Sequence, residues 1–394
     1  MEKSLRYSMF GMIYFAEGAI LGYITALNSL YLLSFNISMT QIGLVSTIAM
    51  IPFVLKIFLG MLSDRFNLLG WGHRKPYIII GLLLQGACLL VVPLLNPGEQ
   101  YGLFVMLAFL MVTGMALYDT CTDGLALDTT PPEEEGRIQG VMVIGRALGV
   151  IAVGGMGFLA QQAAWGTVFI ALAALTFLPL PLVLAIAKEA VRTSERRFEW
   201  KAFAAFKRTP VLALALVGAL YSLFIYGANE IVNPFLRESF AITLTTAGLL
   251  TMTWGVGMVL GGLSGGWVAD KIGQRQAMAG GVVFGSISML LFVFIPSASW
   301  AWIIMLVFGL TFGLYDTAFF ATGMYLTDPR IAASMFAVLM ALANIGIGIG
   351  FGAAGWLVDL TGFRATFGIL AGFNLLVLLL LPLIYNNIGR TSEA

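Results

Sequence analysis

The chain has 394 residues, of which 59% are hydrophobic and only 10% charged; its net charge is +1 and its mean hydropathy +0.94. A soluble domain carries about 25% charged residues, so water is not the solvent for most of this chain, and its scattered basic residues form no nucleic-acid surface. The single histidine, His73, excludes a Cys/His zinc cluster, and Cys88 and Cys121 fall in apolar runs where a disulfide is not expected.

A helix needs about 20 apolar residues to cross the hydrocarbon core. Apolar runs between polar breaks give twelve: 8–33, 40–62, 76–95, 101–128, 138–160, 166–187, 210–235, 243–268, 277–296, 300–326, 332–358 and 365–386. The first is long enough to span and has no cleavage-site pattern, so it is expected to stay as an anchor. The fold class is therefore all-α integral membrane.

Orientation follows from lysine and arginine, which are retained on the cytoplasmic side. With the N-terminus inside, 17 of the 21 basic residues fall in cytoplasmic segments. Arg237 and Arg364 lie outside, and Lys56 and Arg146 lie within spans. Both termini are expected in the cytoplasm of a cell (plasma or inner) membrane protein.

The stretch 188–209 carries seven basic and three acidic residues and divides the chain near its middle. It reads as a cytoplasmic linker between six-helix halves, 1–187 and 210–394. The halves echo each other. "LYDT" occurs at 117–120 and again at 314–317, "GMLSDR" (60–65) is matched by "GWVADK" (266–271), and "ISMTQIGL" (37–44) by "ITLTTAGL" (242–249). Three echoes in one order at half-chain spacing indicate a duplicated half, and such parallel repeats mark a large transporter architecture.

The loop after the second span reads Gly60, Asp64, Arg65, Gly72, Arg74 and Lys75, with the insert "FNLLGWGH"; the second copy is Gly266, Asp270, Lys271, Gly273 and Arg275. These two copies resemble the loop motif of the major facilitator superfamily, and the resemblance covers essentially the whole chain. Within that superfamily, "IPFVLKIFLGMLSDRFNLLGWGHRKPYIIIG" is similar to the second-to-third-span region of the peptide–acetyl-CoA transporters, which include muropeptide permeases, and of the folate–biopterin transporters. Lys56 after Pro52, Asp119 and Asp123 on the fourth span, and Gly145-Arg146 on the fifth fit those groups. The fifth span, "GRALGVIAVGGMG", has no proline among its glycines, unlike the drug–proton antiporter motif. The resemblance implies two pseudo-symmetric six-helix halves and transport rather than enzyme chemistry, with no cofactor.

A carboxylate at the bilayer centre is disfavoured by about 2.5–3.5 kcal/mol on insertion scales. Yet at about 1.5 Å per residue, Glu17, Lys56, Asp119 and Arg146 all fall roughly 12–14 Å from the cytoplasmic surface, with Asp123 a turn shallower. The expectation is that Lys56 and Arg146 pair with Asp119 and Asp123 in a hydrated space, never against lipid. A buried network that merely knits the first half together is the alternative. With no histidine in the spans, carboxylates are the expected proton carriers.

In the second half Asp316 repeats Asp119, Phe320 stands for Asp123, and Asn344 aligns with Arg146. Asp316 is thus either a cavity-facing proton site or a hydrogen-bonding partner of a neighbouring helix. Glu230, near the outer end of the seventh span, reads as a solvated mouth residue. Asp64 and Asp270, within reach of Arg65, Arg74, Arg137, Arg275 or Arg330 and flanked by Lys75 and Lys271, read as a cytoplasmic gate that latches and releases. The glycine runs 255–266 and 346–355 are expected at the moving seam between halves.

These readings point to a monomeric secondary transporter in the lipid bilayer, moving a small anionic or zwitterionic organic solute by alternating access with protons as partner. No phosphate-binding loop is present to supply ATP energy. A non-transporting assembly or pigment-delivery factor on the same fold, or a sugar–cation symporter, stays open as an alternative.

Overall fold

The computed structural model describes residues 2–186, 200, 202–326 and 332–385. The linker 188–209 lies largely outside the described residues, as does Arg330. Among the described residues, twelve helices are long and apolar enough to cross a membrane: α1 Lys3–Ala26, α2 Met39–Arg65, α3 Lys75–Leu94, α4 Tyr101–Thr129, α5 Arg137–Ala163, α6 Trp165–Leu184, α7 Thr209–Phe240, α8 Leu244–Ile272, α9 Gln274–Phe294, α10 Ala298–Leu326, α11 Ser334–Thr361 and α12 Phe363–Tyr385. Each overlaps one of the apolar runs. The helices differ from the runs at their ends, because hydropathy marks the lipid-facing length whereas backbone hydrogen bonding continues into polar turns.

Two breaks in these helices matter. The first run is interrupted at Leu27, after which a short helix, Asn28–Leu33, completes the crossing. In α2 the helix pauses at Leu55 (φ −84°, ψ 4°), three residues after Pro52, and resumes at Lys56. Proline has no N–H to donate and crowds the preceding turn, which is the usual cause of such a kink. The kink therefore sits directly before Lys56.

The chain forms two compact units. Unit 1 holds residues 1–37, 48–197 and 243–252; unit 2 holds 38–47, 198–242 and 253–394. Within unit 1, α1 lies along α5 and α3 along α4. At the N-terminal end of this unit, Arg6 donates to the Thr129 carbonyl at 3.2 Å and pairs with Glu134, which Lys3 also contacts at 2.9 Å. The Lys3 ammonium and the Arg6 guanidinium hold the Glu134 carboxyl below its usual range. Within unit 2 the matching pairs are α7 with α11 and α9 with α10.

Helix starts explain why short segments join the unit they do. The first N–H groups of a helix have no intrahelical acceptor. Asp359, in α11, accepts from the amides of Met39 (3.2 Å) and Thr40 (2.7 Å), capping α2 inside unit 2. Gln161, in α5, accepts from the amide (3.1 Å) and hydroxyl (2.8 Å) of Thr245, capping α8 inside unit 1. The two caps occupy equivalent places in the "ISMT" and "ITLT" echoes.

Glycine sets the closest helix contacts. A Cβ on Gly18 would meet the Arg146 carbonyl oxygen at 2.1 Å, and one on Gly149 the Phe15 carbonyl oxygen at 2.1 Å. In unit 2, Gly346 approaches the Ala219 carbonyl oxygen and Gly261 that of Leu310 with the same intimacy, 2.0 Å each. The glycines of 255–266 and 346–355 thus make their tight contacts with helices of their own unit. Cβ atoms on Gly352 and Gly355, however, would meet Thr47 Oγ1 at 2.8 Å and the Met39 carbonyl oxygen at 2.1 Å in α2, a helix of the first half, so the end of the run 346–355 does lie where the two halves touch, while 255–266 tightens helices of the second half.

Candidate functional site

The charged layer is built in unit 1 from four helices. The kink in α2 delivers Lys56, whose ammonium lies 2.5 Å from Asp119 Oδ2 and 3.5 Å from Asp123 Oδ2. Asp119 and Asp123 are one turn apart on α4, so one side chain from α2 reaches both. From α5, Arg146 presents Nη2 to both oxygens of Glu17, at 2.8 and 2.9 Å, and stands 3.6 Å from Asp119 Oδ1. Tyr14, three residues before Glu17 on α1, donates its hydroxyl to Asp123, and its ring lies under the Arg146 guanidinium at 4.8 Å. The result is a closed circuit of three acids, two bases and a tyrosine.

The circuit has an inside and an outside. Glu17 and Asp119 are 2% and 1% exposed, whereas the side chains of Asp123 and Arg146 each keep 43% exposure. The uncovered side of the circuit is the one these last two side chains form. It offers one carboxylate and one guanidinium side by side. Asp119 Oδ1 accepts no hydrogen bond, and the Arg146 guanidinium stands 3.6 Å from it.

The five first-half residues singled out from the sequence therefore come together. The pairing differs in one respect: Arg146 is held chiefly by Glu17, with Asp119 at longer range. The Gly18–Gly149 contact is the reason, because it presses α1 against α5 at the level of both side chains. Tyr14 was missed, since a tyrosine in an apolar run has no distinguishing signal; its spacing of three from Glu17 places it on the same face.

Unit 2 has no such circuit among the described residues. Asp316 forms no ion pair there, and its surroundings are Tyr221 and Tyr315, which stack on each other. Asn344 is partly buried and lies outside the circuit. Glu230 is not a solvated mouth residue: it is 1% exposed and accepts from the Ser46 hydroxyl at 3.0 Å. Position along α7 gave its depth, but not the start of α2 that covers it.

The loop motif is knotted around Arg74. This side chain is 5% exposed, bonds Asp64 at 2.6 Å and Ser63 Oγ at 2.5 Å, and lies 3.7 Å from Asp128 at the end of α4. Gly124 makes room for it, since a Cβ there would meet the guanidinium carbon at 2.5 Å. Lys75 donates to the carbonyls of Leu184 (3.0 Å) and Ile186 (2.7 Å). Arg65 lies over the Phe66 ring, and Lys271 over that of Trp267 at 3.8 Å. Arg137, Asp270 and Arg275 are exposed. Asp128 and Ser63 were not singled out from the sequence, although Asp128 is the third acid of "LYDTCTDGLALD". Replacing Arg74 with alanine leaves two carboxylates without their shared cation and is expected to cost about 2–3 kcal/mol. Lysine should restore little, lacking the planar fork. Thermal unfolding of the detergent-solubilised variants measures both.

A family profile described as Major Facilitator Superfamily matches residues 8–337 and 214–393. The chain belongs to the Major Facilitator Superfamily. This facilitator is a multi-pass membrane transporter with the two-halved, twelve-helix fold, and not an enzyme. It is 25% identical over 371 residues to the anhydromuropeptide permease of Escherichia coli (strain K12), covering 88% of this chain and 73% of that protein. It is 24% identical over 264 residues to the sialic acid transporter NanX of the same strain, covering 65% of this chain and 62% of that one. Among solved structures, the nucleoside transporter NupG superposes with a TM-score of 0.80 over 96% of this facilitator and 99% of that chain, at 15% identity.

Proposed function

We propose that this facilitator is a proton-coupled secondary transporter of a small organic solute bearing an acidic group, working by alternating access between the halves 1–187 and 210–394 about the linker 188–209. The observation that carries the proposal is the circuit of Glu17, Lys56, Asp119, Asp123 and Arg146. Its formal charge is −1 when all five are ionised, so it is balanced by one added cation, and a proton is the smallest available. Its uncovered side pairs Arg146 with Asp123. The guanidinium fork suits a solute carboxylate or phosphate, and Asp123 suits a proton or a solute ammonium.

In this mechanism the solute's acidic group draws on Arg146, which loosens its hold on Asp119 and Glu17 and changes which carboxylate carries the proton. Asp316, lying without an ion-pair partner among the described residues, is a second acid for the cycle in unit 2, and Asn344 on α11 is a polar candidate for the same half. Asp64, Arg65, Arg74, Lys75, Arg137, Asp270, Lys271, Arg275 and Arg330 form the cytoplasmic control region, with Arg74 as its anchor. A cell membrane with both termini cytoplasmic is the setting, in keeping with the distribution of basic residues. The names of two relatives, an anhydromuropeptide permease and a sialic acid transporter, support a solute of this class.

The test is uptake into proteoliposomes holding the purified facilitator. Anhydromuropeptide, sialic acid and a nucleoside are offered with and without an imposed pH gradient. An acidic solute should accumulate with the gradient. Asp119→Asn should lower the gradient-driven rate about 10–100-fold, the equivalent of one charge-assisted hydrogen bond. Uptake indifferent to both gradient and substitution would remove proton coupling, and no uptake of any solute in the presence of a gradient would favour a non-transporting role.

A further inference from the structure

The circuit does not account for the most deeply buried carboxyl among the described residues of unit 2. Glu230 lies in α7 with 1% of its surface exposed. Its Oε1 accepts from Ser46 Oγ at 3.0 Å, while its Oε2 accepts no hydrogen bond. None of the ion pairs among the described residues involves it. A buried acceptor left open costs free energy comparable to a lost hydrogen bond, and more when it is charged. A proton bound at Oε2 removes that cost.

The charged groups around it are otherwise engaged. On α7 itself, Arg237 donates to the Ile242 carbonyl at 2.8 Å, and Tyr226 packs against Phe312 and Phe351. From α11, Asp359 caps the start of α2; from α12, Arg364 donates to the carbonyls of Val293 and Ile295. Asp316 of α10 keeps company with Tyr221 and Tyr315, and Tyr385 of α12 lies beside Tyr315. Arg275 sits at the start of α9, at the far end of its helix, and the α2 segment 38–47 brings no titratable side chain at all.

We propose that Glu230, with Ser46 as its hydrogen-bonding partner, is a proton-binding site of its own, separate from the charged circuit of unit 1. Ser46 is ten residues from Lys56 along α2, about 15 Å of helix, so the two sites are distinct although one helix touches both. A proton from water forms the O–H bond at Oε2 while Oε1 goes on accepting from Ser46; release returns the proton to water. Proton, not metal cation, is the ligand the site favours, because Glu230 offers one open carboxylate oxygen where Na⁺ or another hard cation takes several oxygen ligands. The inference deepens the transport reading, but its test needs no knowledge of the solute.

Infrared difference spectra of the full-length protein in liposomes, taken between about pH 5 and about pH 9, report the C=O stretch of carboxylic acids. The wild type should show a band that disappears on raising the pH, and Glu230→Gln, which keeps the side-chain volume, should lose that band. Ser46→Ala should keep it and shift its frequency, since the hydrogen bond to Oε1 is gone. Asp119→Asn should leave it unchanged, which separates this site from the circuit. Spectra of Glu230→Gln identical to the wild type, with Ser46→Ala causing no shift, would overturn the proposal. So would a band that responds to replacing choline by Na⁺ at fixed pH, which would make the site one for a metal cation.

Discussion

Asp119→Ala is expected to destabilise the protein by about 3–5 kcal/mol, the range for removing one partner of a buried ion pair. Asp119 is 1% exposed and is the link between the two bases, with Lys56 2.5 Å from one oxygen and Arg146 3.6 Å from the other. Without it Arg146 still has Glu17, but Lys56 is left with Asp123 alone, at 3.5 Å and half open to water. The cost is therefore the stranded lysine more than the lost attraction. The double variant Lys56→Met with Asp119→Leu removes both charges together and should recover most of the loss, because a buried pair replaced by apolar side chains is often neutral. Thermal unfolding in detergent, run as a double-mutant cycle, measures the coupling between the two. A single-variant loss below about 1 kcal/mol is what a solvated surface pair would give, and would mean that water already screens the circuit. The same double variant should not transport, since the circuit's function needs the charges that its stability can do without.

Gly149→Val is expected to be the most damaging substitution outside the charges themselves. Its Cβ would meet the Phe15 carbonyl oxygen at 2.1 Å and the Ala19 amide nitrogen at 2.6 Å. Both are backbone atoms, so the only relief is to move α1 away from α5. Overpacking in a filled core costs about 1–3 kcal/mol, and here it also pulls Arg146 from Glu17, one turn away. Folded yield from membranes should fall sharply, and whatever protein survives should lose the uptake that depends on Arg146. Gly155→Val, at a glycine of the same helix with nothing within 4 Å of its ideal Cβ, is the control. If the two variants behave alike, the contact between α1 and α5 is looser than the backbone distances indicate. The unit 2 equivalent, Gly346→Val against Ala219, should damage folding equally but leave the circuit's ion pairs in place. Comparing the two separates the cost of parting helices from the cost of parting charges.

Much of this protein was legible in its sequence. Hydropathy and length fixed the twelve spans, because lipid tolerates only helices whose backbone groups are satisfied internally. The "LYDT" and loop-motif echoes disclosed the duplication. Counting residues at the helical rise put Glu17, Lys56, Asp119 and Arg146 in one layer, since depth along a helix is a one-dimensional quantity. The tertiary structure decided the rest. That Arg146 takes Glu17 as its main partner depends on the Gly18–Gly149 contact. That the glycine runs of the second half tighten α8 on α10, α7 on α11 and α11 on the start of α2 depends on which helices lie beside them. That Glu230 is sealed under Ser46 depends on where the start of α2 is capped. Each of these is a question of azimuth and neighbour, which a periodic apolar pattern leaves open when a helix is greasy on every side.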